Sequence, residues 1–141
     1  MKTKFDAILL GIQQKIRQCE GEIASIHHQI QEVQQGIFSC TQSIAQMQIP
    51  ISGNAIAFRE LYSGKKALVA QMDDLNAYLS ALKAQLKNKQ EEYKGIQLEF
   101  EKIKYLQQKE IGAMLENHKR KQQQELDEIA VMLFAQQGGE K

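Results

Sequence analysis

The sequence predicts an all-α protein in which two long helices form an antiparallel coiled-coil hairpin, with the second helix extending beyond the first. Apolar or small residues recur every three or four positions in two long runs, and the only proline of the 141 residues separates those runs. Tryptophan is absent and aromatic residues make up 6% of the chain. Such a composition offers little material to wall off a pocket, so we do not expect an enzyme.

The first helix is predicted over residues 1–48. Its apolar positions alternate spacings of four and three, which is the heptad pattern of a coiled-coil seam. Three glycines each weaken an isolated helix by about 1 kcal/mol, so this helix depends on a packing partner. The predicted seam consists of Phe5, Leu9, Ile12, Ile16, Cys19, Ile23, Ile26, Ile30, Val33, Ile37, Cys40, Ile44 and Met47.

A turn is predicted at residues 49–54, where Pro50 and Gly53 lie close together. The paired part of the second helix is predicted at residues 55–103 because the same heptad spacing resumes there. Its seam consists of Phe58, Leu61, Lys65, Leu68, Met72, Leu75, Leu79, Leu82, Leu86, Lys89, Tyr93, Ile96, Phe100 and Ile103.

A turn centred near residues 51 and 52 places Phe5 opposite about Leu98, and the heptad spacing fails after Ile103. Residues 104–136 contain good helix formers and no proline, so they are predicted to project as a single helix over about 45 Å. A flexible tail is predicted at residues 137–141, with Gly138 and Gly139 as the stop signal.

The projecting helix carries apolar residues that the hairpin leaves uncovered, and such rows typically mark a docking surface. Fraying of this segment and pairing with a second copy remain open alternatives. A short basic run, His118 to Lys121, points in several directions on a helix and lacks interleaved aromatics, so we expect contacts with proteins and none with nucleic acid. The uncovered residues are Ile111, Met114, Leu115, Leu126, Ile129, Val131, Met132, Leu133 and Phe134.

Neither the cysteines nor the adjacent histidines indicate a metal, cofactor or redox site. Cys19 and Cys40 lie about 30 Å apart along a helix, so they cannot form a disulfide within it and are expected to pack as small core residues. His27 and His28 diverge by about 100° and are expected at the surface. No signal-like cationic and apolar segment occurs near the N-terminus, and no apolar run approaches about 20 residues, so we expect a cytoplasmic protein.

The C-terminal half resembles the FliJ family, small soluble components of the bacterial flagellar type III export apparatus. The resemblance lies in the segment from Phe100 to Lys104, in Glu125 to Ala130, and in Phe134. The length, the break near residue 50 and the longer second helix extend the resemblance to the whole chain.

This resemblance implies a stalk-like, non-enzymatic rod that links the hexameric export ATPase to the cytoplasmic domain of the export gate and to export chaperones. The implied location is cytoplasmic and peripheral at the inner-membrane apparatus, with no small-molecule substrate and only indirect membrane contact. The export gate would contact Phe58, Leu61 and Leu68. The ATPase would contact Phe5, Ile111, Leu115, Lys119, Arg120, Leu126, Ile129 and Phe134.

Two other functions fit a helical hairpin. A prefoldin-like chaperone uses apolar helix ends to hold unfolded chains, and a structural coiled coil would associate with itself through Ile111 to Leu133. The oligomeric state at several concentrations separates the structural coiled coil from the export component.

Overall fold

The computed structural model describes residues 2–47 and 55–139, with side chains described up to residue 137. Within these residues the chain forms two α-helices, α1 (Phe5–Gln46) and α2 (Ala55–Gly139). The predicted all-α hairpin is therefore confirmed. The predicted turn at 49–54 lies outside the described residues, as do the last two residues of the predicted tail. Neither described helix is both long and apolar enough to cross a membrane.

The chain divides into two compact units, which we call the hairpin unit (Lys15–Ile96) and the terminal unit (Met1–Gln14 with Gln97–Lys141). In the hairpin unit, α1 and α2 run antiparallel. Ile26, Ile30, Val33 and Leu82 form the buried centre of this unit. Ile37, Leu75, Leu79 and Leu86 pack around it and are half-buried.

The first seam is confirmed along its whole length, because every predicted position is buried or half-buried. Both cysteines are free and buried, with Cys19 3% and Cys40 5% exposed, as expected for small core residues. His27 and His28 are exposed, and His28 Nε2 lies 3.0 Å from Glu32 one turn away. The histidines therefore lie on the surface, as predicted.

The second seam is confirmed from Leu68 to Ile103 but is wrong in phase at its start. Phe58 and Lys65 are exposed, whereas Ala57 and Gly64 are half-buried in their place. The covered positions Gly64, Leu68 and Met72 are spaced four and four, where a heptad would alternate four and three. This extra residue interrupts the seven-residue repeat and moves the seam from Lys65 to Gly64.

The predicted pairing of residues across the hairpin is also wrong, by about two helical turns. Leu75 Cδ1 would lie 3.4 Å from a Cβ atom at Gly36, and Gly64 lies against Met47. A turn centred at 51 and 52 would instead place Gly36 opposite residue 67. In the sequence, Pro50 and Gly53 indicate where a helix should break. They do not indicate which residue of α2 lies beside the end of α1. Because that residue is Gly64, the first turns of α2 lie beyond the end of α1.

A polar layer interrupts the apolar seam around Cys19. Lys89 occupies a seam position and forms ion pairs with Glu22 and, at 3.2 Å, with Glu92. The hydrogen bond from Lys89 lowers the pKa of the Glu22 carboxyl, and the same bond raises the pKa of Lys89. Burial raises the pKa of the Cys19 thiol, whose Sγ donates to the Lys89 carbonyl oxygen at 3.6 Å.

Next to Lys89 on the seam, Tyr93 donates its hydroxyl to Glu20 Oε1 at 2.9 Å. This hydrogen bond raises the pKa of Tyr93, since ionisation would place a phenolate beside a carboxylate. At this level, polar contacts from Lys89 and Tyr93 of α2 to glutamates of α1 can form in only one alignment of the two helices.

In the terminal unit, the N-terminus of α1 is capped and held against α2. Thr3 Oγ1 accepts from the Phe5 amide at 3.2 Å, and the Thr3 amide donates to Asp6 Oδ2 at 2.9 Å. Gln107 Nε2 donates to both cap residues, at 3.0 Å to Thr3 Oγ1 and 2.6 Å to Asp6 Oδ1. Phe5 therefore faces the level of Gln107, and not Leu98, which is 67% exposed.

Candidate partner-binding surfaces

All residues from 112 to 137 of α2 are exposed, and we call this stretch the C-terminal segment. It begins just past the half-buried Glu110 and Ile111, within the terminal unit. Large apolar side chains on it are left in water, with Leu126 60% and Phe134 77% exposed. A helix face with this much exposed apolar surface favours docking onto another helix or groove.

Most of these apolar side chains share one face of the helix. Successive positions on that face are spaced by three or four residues and repeat every eleven, which suits a straight α-helix better than a heptad does. Met114 and Met132 border the face. We call it the C-terminal row, and it consists of Leu115, His118, Gln122, Leu126, Ile129 and Leu133.

The structure brings together only part of the set predicted to contact an ATPase. Leu115, Leu126 and Ile129 lie in the C-terminal row. Ile111 is half-buried, so the uncovered surface begins after it, and Phe5 is half-buried at the start of α1 with Lys4 Nζ 5.3 Å above its ring.

The remaining three predicted residues lie off the row at different angles. Lys119 borders the row, whereas Arg120 points to the opposite face and lies 3.9 Å from Glu116 in an exposed ion pair. Phe134 follows Ile129 by five residues, which turns it about 140° away. An exposed ion pair such as Arg120 with Glu116 contributes little stability, so Arg120 remains available to a partner, as does Lys119.

Charge is distributed unevenly along the C-terminal segment. Residues 112–123 carry Lys119, Arg120 and Lys121 against a single carboxylate, Glu116. Residues 124–137 carry three carboxylates and neither lysine nor arginine. The segment therefore has a cationic first half and an anionic second half.

A second exposed apolar surface lies at the start of α2, in the hairpin unit. Phe58, Tyr62 and Val69 are exposed and lie within about 40° of one another on the helix, and we call them the α2 N-terminal row. Of the residues predicted to contact an export gate, only Phe58 belongs to it. Leu61 and Leu68 are half-buried on the seam.

Sequence reasoning missed Tyr62 and Val69 because it followed the seam phase. Tyr62 and Val69 follow Phe58 at intervals of four and seven residues, so the sequence does place the three on one helix face. That face is recognised as exposed only when Gly64, and not Lys65, is known to lie on the seam. Arg59, Lys65 and Lys66 are exposed in the same turns, so the surroundings of this row are basic.

Within residues 2–47 and 55–139, no three His, Cys, Asp or Glu side chains come close enough together to hold a metal ion.

Comparison with known proteins identifies one family. The family model described as "Flagellar FliJ protein" matches residues 1–139. A search of curated proteins and a search of solved structures each gave no match.

Proposed function

Since this chain belongs to the FliJ family, which indicates a component of flagellar protein export, we propose that it is a non-enzymatic link in that apparatus. In this proposal the C-terminal segment binds the export ATPase ring, and the α2 N-terminal row binds the cytoplasmic domain of the export gate. Export chaperones are further proposed partners. The protein acts in the cytoplasm, and contact with the inner membrane is indirect, through the gate.

The observation that carries the proposal is the C-terminal row. Leu126, Ile129 and Leu133 are each more than half exposed on a helix face with no described residue packed over it. Burying one such side chain contributes about 1.5 to 3 kcal/mol, so a groove that covers three of them gains enough to hold the segment. Lys119, beside the row, adds a contact for acidic groups around such a groove.

The α2 N-terminal row supports a separate contact with the gate. Its two aromatic side chains combine large apolar area with few rotatable bonds, which is typical of interface anchors. Lys65 and Lys66 lie beside them and would meet acidic groups. Because this row belongs to the hairpin unit and the C-terminal row to the terminal unit, two partners have different surfaces to bind.

The first experiment measures binding of the purified full-length chain to the export ATPase hexamer by titration calorimetry. Ile129→Ser removes one apolar side chain from the C-terminal row, and we expect at least about tenfold weaker binding. Val131→Ser is the matched control, because Val131 is similarly exposed but points away from the row. Neither substitution touches the buried seam, so circular dichroism should report the same helix content for both.

Equal loss in both variants, or none in either, would refute the assignment of the ATPase to this face. A truncation after Ile111 retains Gln107 and the cap of α1, so it removes the segment without disturbing the contacts beside it. Full affinity of that truncated chain would place the ATPase contact elsewhere. Failure of the full-length chain to bind the ATPase would leave the chaperone function as the next hypothesis to examine.

The gate contact is tested separately with Tyr62→Ser and a gate cytoplasmic domain. We expect binding to the gate to weaken while binding to the ATPase stays unchanged. Tyr78→Ser is the control, since Tyr78 is also exposed on α2 and lies off the row. A gate affinity that is the same for both variants would remove the row from the interface.

A further inference from the structure

We propose that, in the absence of a partner, two copies of this chain pair antiparallel through their C-terminal rows. The pairing has a two-fold axis at Gln122, so that Gln122 of each copy faces Gln122 of the other. It concerns the chain alone and does not depend on the proposed export function.

The spacing of the row is symmetric about Gln122. Reading outward from Gln122, row positions follow at four, seven and eleven residues on one side, as Leu126, Ile129 and Leu133. On the other side the same intervals reach His118 and Leu115 of the row and then the half-buried Ile111. Antiparallel pairing about this centre therefore matches row positions with row positions. Leu115 of one copy meets Ile129 of the second copy, and Leu126 of one copy covers the ring of His118 of the other. Sliding one copy by one residue along the other breaks this match.

The charge pattern decides the direction of pairing. The cationic first half and anionic second half of the C-terminal segment lie against each other only if the copies are antiparallel. Parallel pairing would place Lys119 to Lys121 beside the same residues of the second copy. Lys121 and Glu125 flank the same side of the row, so near the axis each cation meets a carboxylate of the other copy.

The length of the uncovered surface agrees with this arrangement. From Leu115 to Leu133 the row is about 27 Å long, or five helical turns. At its start, the second copy's Leu133 reaches the level of Ile111, where α1 stops covering α2. A lone helix is marginal in water, so a second copy with a matching row stabilises a segment that nothing in its own described chain covers.

The pairing stands without an ATPase contact, but if the ATPase binds the C-terminal row as proposed above, pairing and ATPase binding exclude each other. The pair is then the resting form of the free protein, and a partner that covers the C-terminal row releases it. A partner that covers the C-terminal row should therefore lower the fraction of dimer.

The first test is disulfide cross-linking of the full chain under mild oxidation. Gln122→Cys should give a covalent dimer, because the two Cα atoms lie at the axis within reach of a disulfide. His118→Cys is the matched control, also a polar position of the row. In the antiparallel pair the two cysteines at position 118 lie about 12 Å apart along the helix direction and should not cross-link.

Cross-linking of both variants would indicate parallel pairing, and cross-linking of neither would overturn the proposal. The native cysteines are 3% and 5% exposed, so the parent chain should give no dimer band. Sedimentation equilibrium between about 1 and 500 μM must also show a reversible dimer of the parent; a monomer throughout refutes pairing.

The second test reverses charges beside the axis and measures the dimer dissociation constant. Lys121→Glu turns two attractive contacts per dimer into repulsive ones, and we expect about tenfold weaker association at low salt. Glu125→Lys should weaken it similarly. The double variant with both reversals should recover most of the affinity, whereas a double variant no better than the single ones contradicts the antiparallel register.

Discussion

Replacement of Leu82 by alanine probes the centre of the hairpin unit. Leu82 is 3% exposed and packs among Ile26, Ile30 and Val33, so its truncation removes buried methyl groups and leaves a cavity. Buried leucine-to-alanine changes cost about 2.7 to 5 kcal/mol, depending on how far the surroundings collapse. Because the flanking Leu79 and Leu86 are only half-buried and can move inward, we expect the low end, about 3 kcal/mol.

A loss of about 3 kcal/mol raises the unfolding equilibrium constant by roughly 100-fold. Urea unfolding followed by circular dichroism at 222 nm should show a lower midpoint with an unchanged slope, because the surface exposed on unfolding hardly changes. Leu98→Ala is the matched control, since it is the same substitution on the same helix at a side chain 67% exposed. We expect it to change stability by less than about 0.5 kcal/mol.

Equal destabilisation by the two substitutions would refute the packing described for α1 and α2. A cost of about 2 kcal/mol or more at Leu98 would contradict its exposed position on α2, because truncating a side chain that lies in water removes little packing.

Further predictions concern helix propensity, pH and thiol reactivity. Gly21→Ala should stabilise the chain by about 0.8 to 1 kcal/mol in urea unfolding, because its new Cβ meets nothing within 4 Å. Gly36→Ala should gain at least as much, since its Cβ would make ordinary van der Waals contact with Leu75 at 3.4 Å, and a loss of stability would contradict that spacing. The hydrogen bond from Lys89 holds the pKa of Glu22 below its usual 4.5, so this contact stabilises the fold above pH 4.5 and is lost as the pH falls through the lower folded value. Glu22→Gln should therefore flatten the acid side of the stability profile, and an unchanged profile would argue against the contact. Burial and the raised pKa of the Cys19 thiol should leave it unreactive toward a disulfide reagent until urea unfolds the chain, and rapid reaction of the folded protein would contradict its burial.

The sequence alone determined the fold class, the complete first seam and the family. Heptad spacing is a local property of the chain, and a run from Phe5 to Met47 with one apolar face has few ways to bury it other than against a second such helix. The resemblance to the FliJ family was confirmed by the family match over residues 1–139. The exposed apolar side chains of the C-terminal segment were likewise predicted, because the seam there has no partner.

The pairing of residues across the hairpin was decided only by the tertiary structure. Every heptad of a coiled coil resembles the next, so many alignments of α1 against α2 bury similar apolar area. The alignment depends on a few contacts between distant residues, such as Gly36 against Leu75 and Gln107 against Thr3, which no local pattern indicates. The phase of the seam at Ala57 and Gly64 was also decided by the tertiary structure, and it places Phe58 and Tyr62 on the exposed outer face of α2 as a candidate binding surface.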